Sequence, residues 1–157
     1  MIAVLVNVRS SHNVGSIFRT ADAAGFTKLV LCGITPAPTD RFGKVNSEIA
    51  KVSLGAEKFV AWEKSKSAVI AIKKLRKQGY IILALEQSKN SIPYTSTSLR
   101  LSPLEGRAAI IVGDEVKGIP HKILKLADKI LEIPMHGHKE SLNVAVAFGI
   151  AAFRLIE

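Results

Sequence analysis

The sequence predicts an α/β domain with a mainly parallel sheet, on three observations. Runs rich in Ile, Val and Leu recur at Ile2–Val6, Lys28–Leu31, Tyr80–Leu85 and Ala108–Val112, and continuous apolar runs of this length suit strands buried on both faces. Helical patterns separate these runs, which implies strand–helix–strand crossovers with helices on both faces. The 157 residues are 48% hydrophobic, enough for one domain, 1–157, with its own core.

Taken in order, Ile2–Val6 is the first strand. Asn13 to Ala24 follows as a helix, with Asn13 as N-cap, Ile17, Ala21 and Ala24 on one face, and Gly25 as the stop. After the strand Lys28–Leu31, the prolines of Gly33-Ile-Thr-Pro-Ala-Pro-Thr-Asp require a loop. Lys44–Leu54 is a weaker helical pattern and Lys58–Trp62 a short strand. Ser65–Gln78 is amphipathic, with Ala68, Ile72 and Leu75 inward and Lys66, Lys73 and Lys77 outward. Tyr80–Leu85 is a strand, and Lys89–Pro103, rich in Ser, Thr and Pro, is a loop. Ala108–Val112, a short helix His121–Ala127, the strand Lys129–Ile133 and a final helix Ser141–Ile156 complete the pattern, with Ser141 as the last N-cap.

There are 22 Lys and Arg against 13 Asp and Glu, a formal charge of +9. That excess suits a polyanionic partner, nucleic acid being the commonest. Cys32 is the only cysteine; it excludes an intrachain disulfide and reads as a small buried hydrophobe in a reducing, cytoplasmic setting. Met1–Val8 has no basic leader, and the apolar stretch 141–153 is too short to span a bilayer. The expectation is a cytoplasmic protein with no membrane partner.

Three segments carry polar residues where packing does not require them: Asn13-Val-Gly-Ser-Ile-Phe-Arg19-Thr-Ala21, Ile111-Val-Gly113-Asp-Glu115-Val-Lys-Gly118-Ile-Pro120 and Ile133-Pro-Met135-His-Gly-His-Lys-Glu-Ser141-Leu142-Asn143. Each begins at a strand exit or a helix start, where α/β sheets bind ligands. Asn13 either caps its helix or meets a ligand. Arg19, in an otherwise apolar helix, is either solvated or anchors an anion, since guanidinium binds phosphate bidentately. Glu115 is either a turn carboxylate, the plainer reading, or the partner of Arg19 or a substrate hydroxyl. Gly113 and Gly118 form neither a P-loop nor a dinucleotide fingerprint, because no Lys-Ser/Thr follows and Gly-x-Gly is absent. His136 and His138 lack a third ligand nearby, so no metal is expected. The final helix is apolar nearly all round and needs cover from more than the sheet. A homodimer through 141–156 would provide it.

Together the three segments resemble the three motifs of the SpoU/TrmH branch of the SPOUT RNA methyltransferases, in order and over nearly the whole chain. The resemblance implies a trefoil knot in about 108–157. It also implies S-adenosylmethionine bound by Leu85, Glu86, Gln87, Gly113, Gly118, Ile133, Met135 and Leu142, and methyl transfer to a ribose 2′-hydroxyl of tRNA or rRNA. The implied catalytic positions are Asn13, Arg19, Glu115, Ser141 and Asn143. Arg19 is too strongly basic to be neutral, so its implied role is to hold an RNA phosphate and stabilise the developing oxyanion. Asp114 stands where many relatives have Asn, and Ala145 where many have Ser. RNA would rest on a basic surface, with Arg9, Arg41, Lys44, Lys51, Lys73 and Lys77 as candidates. Two alternatives are an RNA-binding assembly factor or chaperone without turnover, and methyl transfer to a base; the Ser-Leu-Asn of the third motif favours ribose.

Overall fold

The computed structural model describes residues 1–96 and 107–156. Within them a seven-stranded sheet runs in the order β3-β2-β1-β6-β4-β7-β5. The strands are β1 Ile2–Val6, β2 Lys28–Cys32, β3 Ala61–Ser65, β4 Ile81–Leu85, β5 Ile92–Pro93, β6 Ala108–Val112 and β7 Lys129–Glu132. Every pairing is parallel, so all carboxyl ends emerge along one edge. The helices are α1 Ser11–Ala23, α2 Ser47–Ser53, α3 Ala68–Lys77, α4 His121–Leu124 and α5 Val144–Ile156.

Alternate residues of the central strands feed two cores, as the two-residue side-chain period requires. Ala3, Leu5, Leu29, Leu31, Ile110 and Val112 face α1, α2 and α5. Val4, Val30, Ala84 and Ile111 face α3 and α4. Helices therefore cover both faces, which is why β1 and β6 are buried at every position. Phe148 of α5 meets Phe26 edge to face at 5.3 Å between ring centroids; an aromatic pair of this kind adds about 0.5–1.5 kcal/mol beyond area burial. Cys32 is buried, and its desolvation pushes the thiol up to about 11, with Lys64 opposing and Glu63 assisting.

Several boundaries differ from the sequence expectation. The cap of α1 is Ser10, whose Oγ accepts the Asn13 N–H at 3.2 Å. Ser and Asn cap about equally well, and the earlier start leaves the Asn13 amide free. α2 begins at Ser47 because Asn46 caps it. The strand expected at Lys58–Trp62 lies at Ala61–Ser65, since Ala56–Lys58 forms a 3₁₀ turn. β2 needs partners along its whole length, and Ser65 sits opposite Cys32. α3 starts at Ala68, capped by Ser67, because Ser65 belongs to that strand. The helix expected through Ala127 ends at Leu124. The loop expected over 89–103 contains β5, and its positions 97–103 lie outside the described residues.

The last helix begins at Val144, not Ser141. Asn143 takes the capping role: its Oδ1 accepts the N–H of Ala145 at 2.9 Å and of Val146 at 3.4 Å. Val146, Phe153 and Ile156 remain exposed along α5, and Leu142 is exposed on the chain just before it. Spacings of seven and three place the three helical residues on one stripe. No helix among the described residues is long and apolar enough to cross a membrane.

Candidate active site

The carboxyl ends of β4, β6 and β7 open into a cleft of about 260 Å³. Leu85, Glu86 and Gln87 come from the exit of β4, and Val112 and Gly113 from the end of β6. Glu132, Ile133 and Met135 come from β7 and the chain beyond it. Glu140, Ser141, Leu142, Asn143, Val144 and Ala147 close the side nearest α5. All eight positions expected to hold a cofactor line this one cleft, together with Glu115, Ser141 and Asn143.

The 113–118 turn forms the wall beneath β6. Asp114 and Gly118 exchange two backbone hydrogen bonds, at 3.2 and 2.9 Å. Gly118 has φ +64, and a Cβ there would fall 2.3 Å from Glu86 Oε2. A Cβ on Gly113 would meet the Gly118 carbonyl carbon at 2.5 Å and the Ile119 nitrogen at 2.6 Å. Only glycine fits either position. Glu86 fastens the turn to β4: its Oε2 accepts the Ile119 N–H at 2.8 Å and its Oε1 the Gln87 N–H at 3.0 Å. The Gln87 side chain donates to the Glu140 carbonyl at 2.7 Å, tying β4 to the chain before α5.

Glu115 clamps the start of α1. Its Oε2 accepts the Arg9 N–H at 3.0 Å, and its Oε1 accepts the Ser10 N–H at 3.1 Å and Asn13 Nδ2 at 2.9 Å. A carboxylate suits this position, where the helix presents its positive end. Asn143 Nδ2 then donates to Asn13 Oδ1 at 3.0 Å. The chain Glu115–Asn13–Asn143 thus joins the three sequence segments through side chains. Glu115 orients Asn13 and not Arg19, which corrects one of its expected roles.

Arg19 does not line the cleft. It is exposed on α1, and its side chain makes no hydrogen bond or ion pair among the described residues. Six residues at 1.5 Å rise put it roughly 9 Å along the helix from Asn13. Arg9, expected on a free RNA surface, is instead paired to Asp114, Nε to Oδ2 at 2.7 Å. Arg41, Lys44, Lys51, Lys73 and Lys77 are exposed. No group of three or more His, Cys, Asp or Glu among the described residues is arranged to hold a metal.

The sequence reading missed Asp114, Glu132 and Glu140 as lining residues. Glu132 had a usable signal, since it ends a strand on the carboxyl edge; the Arg9–Asp114 pair spans 105 positions and had none. Counting these, the described lining carries five carboxylates, at Glu86, Asp114, Glu115, Glu132 and Glu140, and no Lys or Arg. In a chain of charge +9 that local sign favours a cationic ligand and disfavours a free anion.

Two of these carboxyls are held below their ordinary range. For Asp114 the Lys117 N–H contributes most; burial opposes it, and the Val116 N–H and Arg9 assist. For Glu115 burial pushes upward but is outweighed by the Arg9 N–H, the Asn13 amide and the Glu115 and Ser10 N–H groups. A depressed folded pKa stabilises fully above the unfolded value, about 4, and that stability is lost as pH falls through the lower folded value. Resistance to urea is therefore expected to be level from neutrality to about pH 5 and to fall below about pH 4, less steeply in Asp114→Asn. A decline already under way near pH 6 would point to histidine instead.

Comparison with known proteins places this cleft in context. The chain is 31% identical over 156 residues to the 23S rRNA (guanosine-2′-O-)-methyltransferase RlmB of Xylella fastidiosa, covering 99% of this chain and 58% of that protein. It is 31% identical over 153 residues to the tRNA (guanosine(18)-2′-O)-methyltransferase of Aquifex aeolicus, covering 98% and 67%. The chain thus spans little more than half the length of RlmB. The crystal structure of the AdoMet-bound rRNA methyltransferase from Sinorhizobium meliloti superposes with a TM-score of 0.85 at 27% identity, covering 98% of this chain and 54% of that one. The A. aeolicus TrmH/SpoU tRNA modifying enzyme gives 0.81 at 31% identity, covering 99% and 73%. With residues 1–153 also matched by the model of the SpoU rRNA Methylase family, the chain belongs to that family.

Proposed function

We propose that this chain transfers a methyl group from S-adenosylmethionine to a ribose 2′-hydroxyl of tRNA or rRNA. The observation that carries the reading is the acidic cleft at the ends of β4, β6 and β7 in an otherwise basic chain. Arg9 offsets Asp114 and the remaining carboxylates keep the lining acidic; a sulfonium and an ammonium that outweigh one carboxylate suit it, and a free phosphate ligand does not. Apolar lining from Leu85, Ile133, Met135, Leu142 and Val144 suits an adenine ring and the methylenes of a methionine chain. S-adenosylmethionine, when bound, supplies an electrophilic methyl on sulfur.

The protein's part is positioning. Gly113 and Gly118 let the turn close on itself and on Glu86, and Glu86 and Gln87 hold the rim in place. Orientation of this kind supplies up to roughly 7–11 kcal/mol in favourable cases. Both oxygens of Glu115 are occupied by the three hydrogen bonds they accept, and its pKa is held below the ordinary range, so it is a weak proton acceptor and its part is to fix α1. Among the described residues Arg19 has no partner to compete for it; it binds the phosphate beside the target ribose and stabilises negative charge growing on the 2′-oxygen. Asn13, Ser141 and Asn143 set the mouth of the cleft.

The exposed stripe Val146, Phe153 and Ile156 of α5 is the proposed face of a homodimer through 141–156, and about 108–157 the proposed knotted segment. The bacterial relatives' rRNA and tRNA substrates support action in the cytoplasm. The test is transfer of labelled methyl from S-adenosylmethionine to total unmodified RNA, fractionated by size, with the protein's mass in solution measured alongside. Label in tRNA or rRNA, retained in a nuclease-resistant dinucleotide, and twice the chain mass are expected. Label released with single nucleotides would mean base methylation; RNA binding without label would mean an assembly factor.

A further inference from the structure

We infer that the turn Thr39–Val45 is a stacking platform for an unpaired base of the RNA, with Phe42 as its contact residue. The inference rests on the RNA-directed reading above and extends it to a site outside the cleft. Phe42 is 80% exposed at the tip of this turn. The turn is closely tied: Asp40 Oδ1 accepts the N–H groups of Phe42 at 2.8 Å and Lys44 at 2.9 Å, and Thr39 bridges Val45. The ring therefore stands on a defined support. Arg41 covers one side of it, with Cζ 4.7 Å from the ring centroid. The cation–π contact orients the ring, and a base stacked on it would feel the same positive charge.

Single exposed apolar residues are ordinary, so position and neighbours decide the matter. Phe59 is as exposed, at 81%, but it precedes β3 at the amino-terminal edge of the sheet, opposite the cleft. Phe42 follows β2 on the carboxyl edge. β2 is two strands from β6, roughly 10 Å at the usual spacing, and the segment that carries Phe42 leaves the sheet on the same edge as the cleft. The turn is also anchored to the site: Asn46 Nδ2 donates to Ser11 Oγ at 3.2 Å, next to the Ser10 N–H held by Glu115. Arg41 lies against the ring, and exposed Lys44 belongs to the same turn. One aromatic face among cations suits a base on a phosphate backbone; a protein partner would need a broader apolar face.

The test compares fluorescence anisotropy of a short oligoadenylate with that of an abasic ribose-phosphate oligomer of the same length, using the whole chain. Phe42→Ala is expected to weaken oligoadenylate binding roughly 5- to 150-fold, the loss of one stacked base, and to leave the abasic oligomer unaffected. Phe42→Trp should retain affinity, with indole emission quenched by oligoadenylate alone. Equal affinity of Phe42→Ala and parent for oligoadenylate, or equal loss on both oligomers, would overturn the inference. So would a change of oligomeric state in Phe42→Ala, which would assign the ring to a second copy. Calorimetry with S-adenosylmethionine on the same proteins separates the two readings: absent cofactor binding sinks the methyltransferase reading, and the oligomer pair decides the platform.

Discussion

Gly113→Ala is expected to lose most of the cleft and about 3 kcal/mol of stability, the upper end for overpacking at a closed site. The reason is that every close neighbour of the added methyl is backbone: Gly118 C at 2.5 Å, Gly118 O at 2.6 Å and Ile119 N at 2.6 Å. A side chain can rotate away, but here the turn itself must open. Opening it separates Ile119 N–H from Glu86 and releases the wall from β4. Urea denaturation should show a lower midpoint with unchanged slope, and S-adenosylmethionine binding should fall at least tenfold. Gly137→Ala is the matched control. Its added Cβ meets nothing within 4 Å, so a change beyond about 0.5 kcal/mol there would show that the glycine argument is wrong.

Arg19→Ala is expected to lower the methyl-transfer rate by roughly 10²- to 10³-fold, the usual cost of one donor to developing oxyanion charge, while cofactor affinity stays as it was. The two readouts separate because Arg19 lies outside the cleft lining. Arg19→Lys keeps the charge and loses the bidentate fork, so it should recover only part of the rate. Full activity in Arg19→Ala would remove this residue from the mechanism. Equal loss of rate and cofactor binding would mean that it acts by supporting the fold.

The strands were legible wherever burial on both faces made the run continuously apolar: β1 and β6 lie where the pattern puts them, and β2 and β4 differ by one residue. β3 was misplaced because it is an edge strand with exposed positions, so its composition follows solvent more than packing. Helix starts failed where two good caps lay close together. Ser10 against Asn13, and Ser141 against Asn143, are near equal in propensity, and the choice falls to tertiary contacts between α1 and α5. The eight positions that the resemblance assigns to a cofactor fall together in the cleft lining, but Glu132 and Glu140 beside them were not foreseen and Arg19 lies outside it. The Arg9–Asp114 pair and the clamp by Glu115 were not, because no local pattern marks partners more than a hundred positions apart.

That separation bears on how the molecule comes into being. Asn13 and Asn143 are 130 residues apart in sequence, and Glu115 reaches back 106 to Arg9. A chain still under synthesis carries its first helix start long before either partner exists, and must keep that end unsatisfied or solvated in the interval. Long-range pairing of this kind, in a sheet that is parallel throughout, places the protein among slow folders. The contacts that join the three segments therefore cannot close until residues as far along as Glu115 and Asn143 have been made.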